Sequence, residues 1–164
     1  MIKKISIAFL VLLLAIQFIP YEKNTSKDMT YDISKSYDVP ENIQTIFKNA
    51  CNDCHSNSTV YPWYSNIEPV GYWLNDHIVD GKRHLNFSEF TKLPLAVQNH
   101  KLEETIEMME NGEMPLEDYT NFGLHAEANL NQEQRVEIIS WAKDQMAMLK
   151  ASYPADSLVM KRRN

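Results

Sequence analysis

The chain holds two cysteines, and both fall in Cys51-Asn52-Asp53-Cys54-His55. C-x-x-C-H is the spacing by which c-type haem is attached. Each thiol can add to a vinyl group of the porphyrin and form a thioether. One tight helical turn puts the two sulfurs at the vinyl spacing. The adjacent His55 can then offer its imidazole to the iron from the proximal side. Three rival chemistries use the same residues. A thioredoxin-type pair needs a βαβ context, and no strand pattern of useful length is present. A zinc site needs four ligands, and there is no second cysteine pair. A disulfide across so small a ring is strained.

A methionine followed by proline occurs once, in Gly112-Glu113-Met114-Pro115. A thioether sulfur is a soft ligand that favours ferrous iron, and proline stiffens the loop that carries it. Met114 is therefore the preferred sixth ligand. His125, which comes after this loop, and His77, on the apolar face of its helix, are the alternatives, together with an open or water-bound iron. His84 and His100 read as exposed. Met108, Met109, Met146 and Met148 sit in helical patterns and read as packing residues. The two propionates of a haem call for donors. Lys82 and Arg83, with Tyr61, Trp63 and Tyr64, are candidates; the competing reading of Lys82 and Arg83 is a solvated basic turn.

These residues need elements to hold them. Ile43, Ile46, Phe47 and Ala50 share one face of a helix that starts after Pro40 and runs straight into Cys51. Tyr61-Pro62-Trp63-Tyr64-Ser65 reads as an aromatic loop. Val70, Trp73, Leu74, His77 and Ile78 repeat the helical spacing, with Gly81 as the expected stop. Asn86 and Ser88 are expected to cap the next segment. Leu102, Ile106 and Met109 mark a third helix closed by Gly112. The last helix starts at Asn131, with Gln134 completing a capping box. Its face is Ile139, Ala142, Met146 and Leu149, with Ile138 and Trp141 alongside, and Pro154 ends it. Ile46 and Phe47 are expected to pack on Ile139 and Ala142. Glu103, Glu104, Glu107 and Glu110 read as a solvated face. The fold expected is all-α, a small mono-haem domain over residues 40–150. Residues 21–39 are polar and aperiodic and read as a linker. Residues 151–164, with Lys161-Arg162-Arg163, read as a frayed basic tail.

The first twenty residues read differently. Lys3 and Lys4 precede an apolar run to Ile19. From Ile2 to Ile19 a helix would span roughly 27 Å, close to a bilayer core. No small-residue cleavage site comes after it, since Phe18-Ile19-Pro20-Tyr21 is bulky. Residues 1–20 are therefore expected to be an uncleaved membrane anchor, with a cleaved secretory signal as the rival. The two lysines would keep the N-terminus in the cytoplasm. The domain would then lie in the periplasm, at the outer face of the inner membrane.

On these residues the chain resembles the bacterial membrane-anchored haem-binding domain family, a branch of c-type cytochromes. The resemblance covers about residues 5–145. It rests on Cys51 to Asn57, Pro62-Trp63-Tyr64-Ser65, His77, Gly81, Leu85-Asn86-Phe87-Ser88, Gly112 to Pro115, Tyr119, His125, Ala128 and Trp141, and on the run ending Gln17-Phe18-Ile19. Leu116 departs from it, since the family often has a second proline there. The resemblance implies a helical cytochrome fold and haem c binding, and no defined reaction.

Composition agrees with a single domain. The chain has 164 residues, 44% apolar and 23% charged, which is ordinary globular usage. With 16 basic and 22 acidic residues the net charge is −6, so nucleic acid is a poor partner. No acid–base constellation is visible. The expected role is that of a single-electron carrier with one covalent haem c, served by redox partner proteins. The rivals are a peroxidase-like haem enzyme and a haem-based sensor, each needing an open sixth position.

Overall fold

The computed structural model describes residues 1–121 and 125–161. It is all-helical, and among the described residues the only β pairing is an isolated bridge between Thr25 and Ser58. Helix α1 (Ile2–Ile16) precedes the domain. The domain proper is built from α2 (Glu41–Ala50), α3 (Asn52–His55), α4 (Val70–His84), α5 (Leu95–Asn111), α6 (Glu117–Thr120) and α7 (Gln132–Ser152), joined by short 3-10 turns.

Local chemistry bounds α7 at its start and α5 at its end. Asn131 accepts from Gln134 N–H, and the Gln134 side chain accepts from Asn131 N–H, closing the capping box on α7. Gly112 ends α5 at φ 71°, a left-handed position that glycine takes without strain. Asn86 accepts from Ser88 N–H and caps the 3-10 segment Phe87–Lys92. Ile46, Phe47 and Ala142 share one core cluster, against which Ile139 packs. Phe47 stacks on Phe87 at 4.5 Å and meets Trp141 edge-on at 5.1 Å. Met109 is buried in this core, and Met108, Met146 and Met148 pack against it.

Four readings from sequence are corrected. Gly81 does not stop α4, which continues to His84; it is needed instead where Cys54 approaches the helix. The aromatic stretch is ordered, with Trp63–Asn66 forming a 3-10 helix. Residues 21–39 are not a free linker. Ile33, Tyr37 and Val39 are all buried, and Trp141 Nε1 donates to Asp38 O. Their few apolar side chains reach the core along an irregular path, so no period betrays them. The C-terminal segment is also docked: Leu158 is buried, and Asn99 donates to its carbonyl. Arg162 and Arg163 lie outside the described residues.

No helix among the described residues is long and apolar enough to cross a membrane. Helix α1 is 15 residues, about 22 Å at helical rise, shorter than the span expected to Ile19. It buries none of its residues. Its end is held to the domain. Gln17 Nε2 donates to Glu68 O, Gln17 Oε1 accepts from Glu68 N–H, and the Tyr72 hydroxyl donates to Ile19 O.

Candidate functional site

Helix α2 ends at Cys51, whose N–H bonds Phe47 O. The backbone breaks there, at φ −126° and ψ −44°. It then winds one further turn, with Cys54 N–H and His55 N–H both reaching Cys51 O. This single turn, α3, lies against α4 at Gly81. A Cβ at position 81 would sit 2.8 Å from Cys54 O and 3.0 Å from Cys54 Cβ. Only glycine permits that approach, which explains a glycine inside a helix.

Both cysteines are free thiols. Burial pushes Cys51 up to about 12, helped by Cys54. Burial, with Asp53 beside it, pushes Cys54 up to about 11. The thiols are thus neutral near pH 7. His55 Nδ1 lies 3.0 Å from Leu85 O. A carbonyl only accepts, so Nδ1 carries the proton and Nε2 keeps a free lone pair. Burial lowers the His55 pKa, so the ring is held neutral. A neutral imidazole oriented through its other nitrogen is the usual form of a metal-ligating histidine.

Cys51, Cys54, His55 and Met114 line one cavity of about 900 Å³. Its walls include Phe47, Leu85, Phe87, Met108 and Ile138. Pockets for small molecules run from about 300 to 1,000 Å³, so this one is large for the domain. Met114 enters it on the irregular chain between α5 and α6. Arg135 of α7 holds that chain by donating to Met114 O at 2.7 Å.

The other expected residues divide. His77 lines the cavity, though its Nδ1 is 2.8 Å from Trp73 O. Arg83 is at the cavity edge, largely exposed and paired with Asp80. Trp63 and Tyr64 are not among its lining residues. Trp63 is 71% exposed. Tyr64 bonds His125 Nε2 through its hydroxyl at 2.5 Å, and His125 is buried in that contact outside the cavity lining. Tyr61 accepts from Asn24 N–H, and Lys82 donates to Asn24 Oδ1. The aromatic stretch thus serves the chain around Asn24 and His125 rather than the cavity. Glu103, Glu107 and Glu110 are exposed as expected, with Glu104 and Glu107 at the cavity rim.

Asp53 and Tyr119 also line the cavity, and spacing alone did not single them out. Asp53 occupies a variable position of C-x-x-C-H, and Tyr119 sits in a polar stretch without periodicity. Arg135 was equally silent, one polar residue among several on α7.

A haem is a planar, mostly apolar group that needs iron ligands. The cavity suits it on three counts: size, apolar walls, and two neutral thiols beside an imidazole with a free nitrogen. Cys51, Cys54 and His55 are the residues that would hold it. The family model described as haem-binding domain matches residues 11–144. No curated protein and no solved structure matches the chain. A match over most of the chain, on a helical domain whose cavity can take the group, makes this a haem-binding protein of the haem-binding domain family.

Proposed function

We propose that the chain is a mono-haem c electron carrier. Cys51 and Cys54 each form a C–S bond to one vinyl group, and each thiol hydrogen passes to the other vinyl carbon. His55 holds the iron through Nε2, with Leu85 O fixing its ring. Met114 provides the sixth ligand, a soft sulfur that favours the reduced form. Haem supplies the one-electron couple when bound. The observation that carries the reading is one cavity lined by both thiols, His55 and Met114.

Residues 2–19 tether the protein at the outer face of the inner membrane, where redox partner proteins reach it. Lys3 and Lys4 and the largely exposed apolar face of α1 support this placement. Fractionation with N-terminal mass spectrometry tests it, and a soluble chain starting near Tyr21 overturns the tether.

The carrier reading is tested on the full chain made with haem-attachment machinery. Colour should stay with the protein through acid–acetone extraction, and haem that extracts freely overturns covalent attachment. The ferric protein should be low-spin with a weak far-red sulfur-to-iron band. Met114→Ala should turn it high-spin and open it to carbon monoxide. A second reading, a haem enzyme with His77 as the base, draws on the place of His77 in the cavity wall. It gains if the wild-type iron is already high-spin and His77→Ala alone abolishes peroxide turnover.

A further inference from the structure

The carboxylate of Asp53 uses both oxygens. Oδ1 accepts from Val60 N–H at 2.8 Å, and Oδ2 accepts from the Tyr119 hydroxyl at 2.8 Å. Tyr119 belongs to α6, just downstream of Met114. Its ring stacks on His125, with centroids 4.1 Å apart and planes 13° from parallel. His125 in turn meets the Tyr64 hydroxyl. Two successive points on the chain beyond Met114 are therefore tied back to residues 53 and 64.

Helix α6 has four residues, far below the length at which a helix sustains itself. Side-chain ties must set its position. The Asp53–Tyr119 bond runs directly between the Met114 side of the cavity and the cysteine turn, and both residues line the cavity. Burial, and then the charge of Asp53, raise the Tyr119 pKa well above the ordinary phenol value, so the hydroxyl stays a donor.

We infer that Asp53, Tyr119, His125 and Tyr64 form a latch that holds the Met114 segment closed over the haem cavity. Asp53 and Tyr119 are positioning residues that act through Met114. The inference rests on the reading of Met114 as the sixth ligand. Releasing the latch lets the sulfur leave the iron more often and opens the sixth position to small ligands.

Carbon monoxide binding to the reduced, haem-loaded full chain is the test. Tyr119→Phe keeps the ring and its stack and removes only the hydroxyl. It should speed carbon monoxide association severalfold and lower the midpoint potential, with the melting temperature almost unchanged. Asp53→Ala should act in the same direction, and adding Tyr119→Phe to it should give no further acceleration. An unchanged association rate in Tyr119→Phe overturns the latch. Met114→Ala separates the two readings. If it binds carbon monoxide at the wild-type rate, the sixth-ligand reading falls. If it binds faster while Tyr119→Phe does not, only the latch falls. In the Met114→Ala background Tyr119→Phe should change nothing. A further acceleration there would mean that Tyr119 merely blocks the cavity entrance, which also overturns the latch. Amide hydrogen exchange provides a second measurement: Tyr119→Phe should raise exchange across residues 116–120 and leave the cysteine turn protected.

Discussion

The cysteine turn and the Met114 segment line one cavity but are secured by different means. The cysteine turn is one contiguous stretch, wound on backbone hydrogen bonds and backed by α4 at Gly81, by Leu85 O and by the Phe47–Phe87 stack. Among the described residues the Met114 segment carries the short α6 and a 3-10 turn, Ala126–Ala128. Side-chain bonds with Arg135, Asp53 and Tyr64 tie it down, with Met114 packed against the core and Ala128 buried. Close packing resists displacement because every atom that moves meets another. A segment that relies more on hydrogen bonds opens at lower cost, since each is worth only about 1 kcal/mol net. In the proposed carrier the cysteine side would retain the haem and the Met114 side could be adjusted.

The sharpest way to break this contrast is Phe47→Ala. Phe47 joins α2, Phe87 and Trp141 beneath the cavity. A loss of about 3–5 kcal/mol is expected for a buried aromatic, read by denaturant unfolding of the cofactor-free chain. A loss below about 1 kcal/mol would mean that the cysteine turn does not depend on this packing.

Gly81→Ala comes next, and two effects compete. Alanine favours a helix over glycine by about 1 kcal/mol. The new methyl meets a backbone carbonyl at 2.8 Å, and overpacking of this kind costs about 1–3 kcal/mol. The clash wins, so stability and haem occupancy should both fall. A stabilised Gly81→Ala protein with full haem content would show that α3 can shift freely.

Arg135→Met probes the other side. It removes the bond to Met114 O for about 1 kcal/mol. The melting temperature should barely move, while the midpoint potential and the low-spin fraction drop. A large stability loss with an unchanged spectrum would reverse the contrast between the two regions.

Tyr37 acts only at alkaline pH and shows how far the packed region extends. Burial, and then Tyr153, push its phenol from an ordinary 10.0 up to about 12, and its hydroxyl donates to Gln98 Oε1. A raised folded-state pKa means the neutral form is favoured by folding. That stability is fully present below about pH 10 and is lost as pH rises through about 12. Unfolding midpoints of Tyr37→Phe should therefore decline less steeply with pH across that window. An identical slope would remove Tyr37 from the alkaline transition.

Much of the retaining side was legible in the residues themselves. C-x-x-C-H is contiguous, so its geometry needs no distant partner, and the apolar period of α2 leads directly into it. The ends of α5 and α7 were legible too, because Gly112 and the Asn131–Gln134 pair act within one turn. The docking of residues 33–39 was not. Ile33, Tyr37 and Val39 are too few and too unevenly placed to make a period, and only the core they reach marks them as structural.

What the sequence by itself determined is the set of local instructions: an all-helical chain, its caps, and a five-residue turn with the residue types and spacing of haem attachment. Only the tertiary structure decided which residues share the cavity with that turn. Met114 joins it, while Trp63, Tyr64 and His125 turn to other contacts. Gly81 changed meaning for the same reason. Within its own helix a glycine reads as a stop, yet α4 runs through it because Cys54 approaches from another element. Periodicity and capping report forces between neighbours a few residues apart. The Asp53–Tyr119 bond joins positions far apart in the chain, and it exists only once the helices between them have packed.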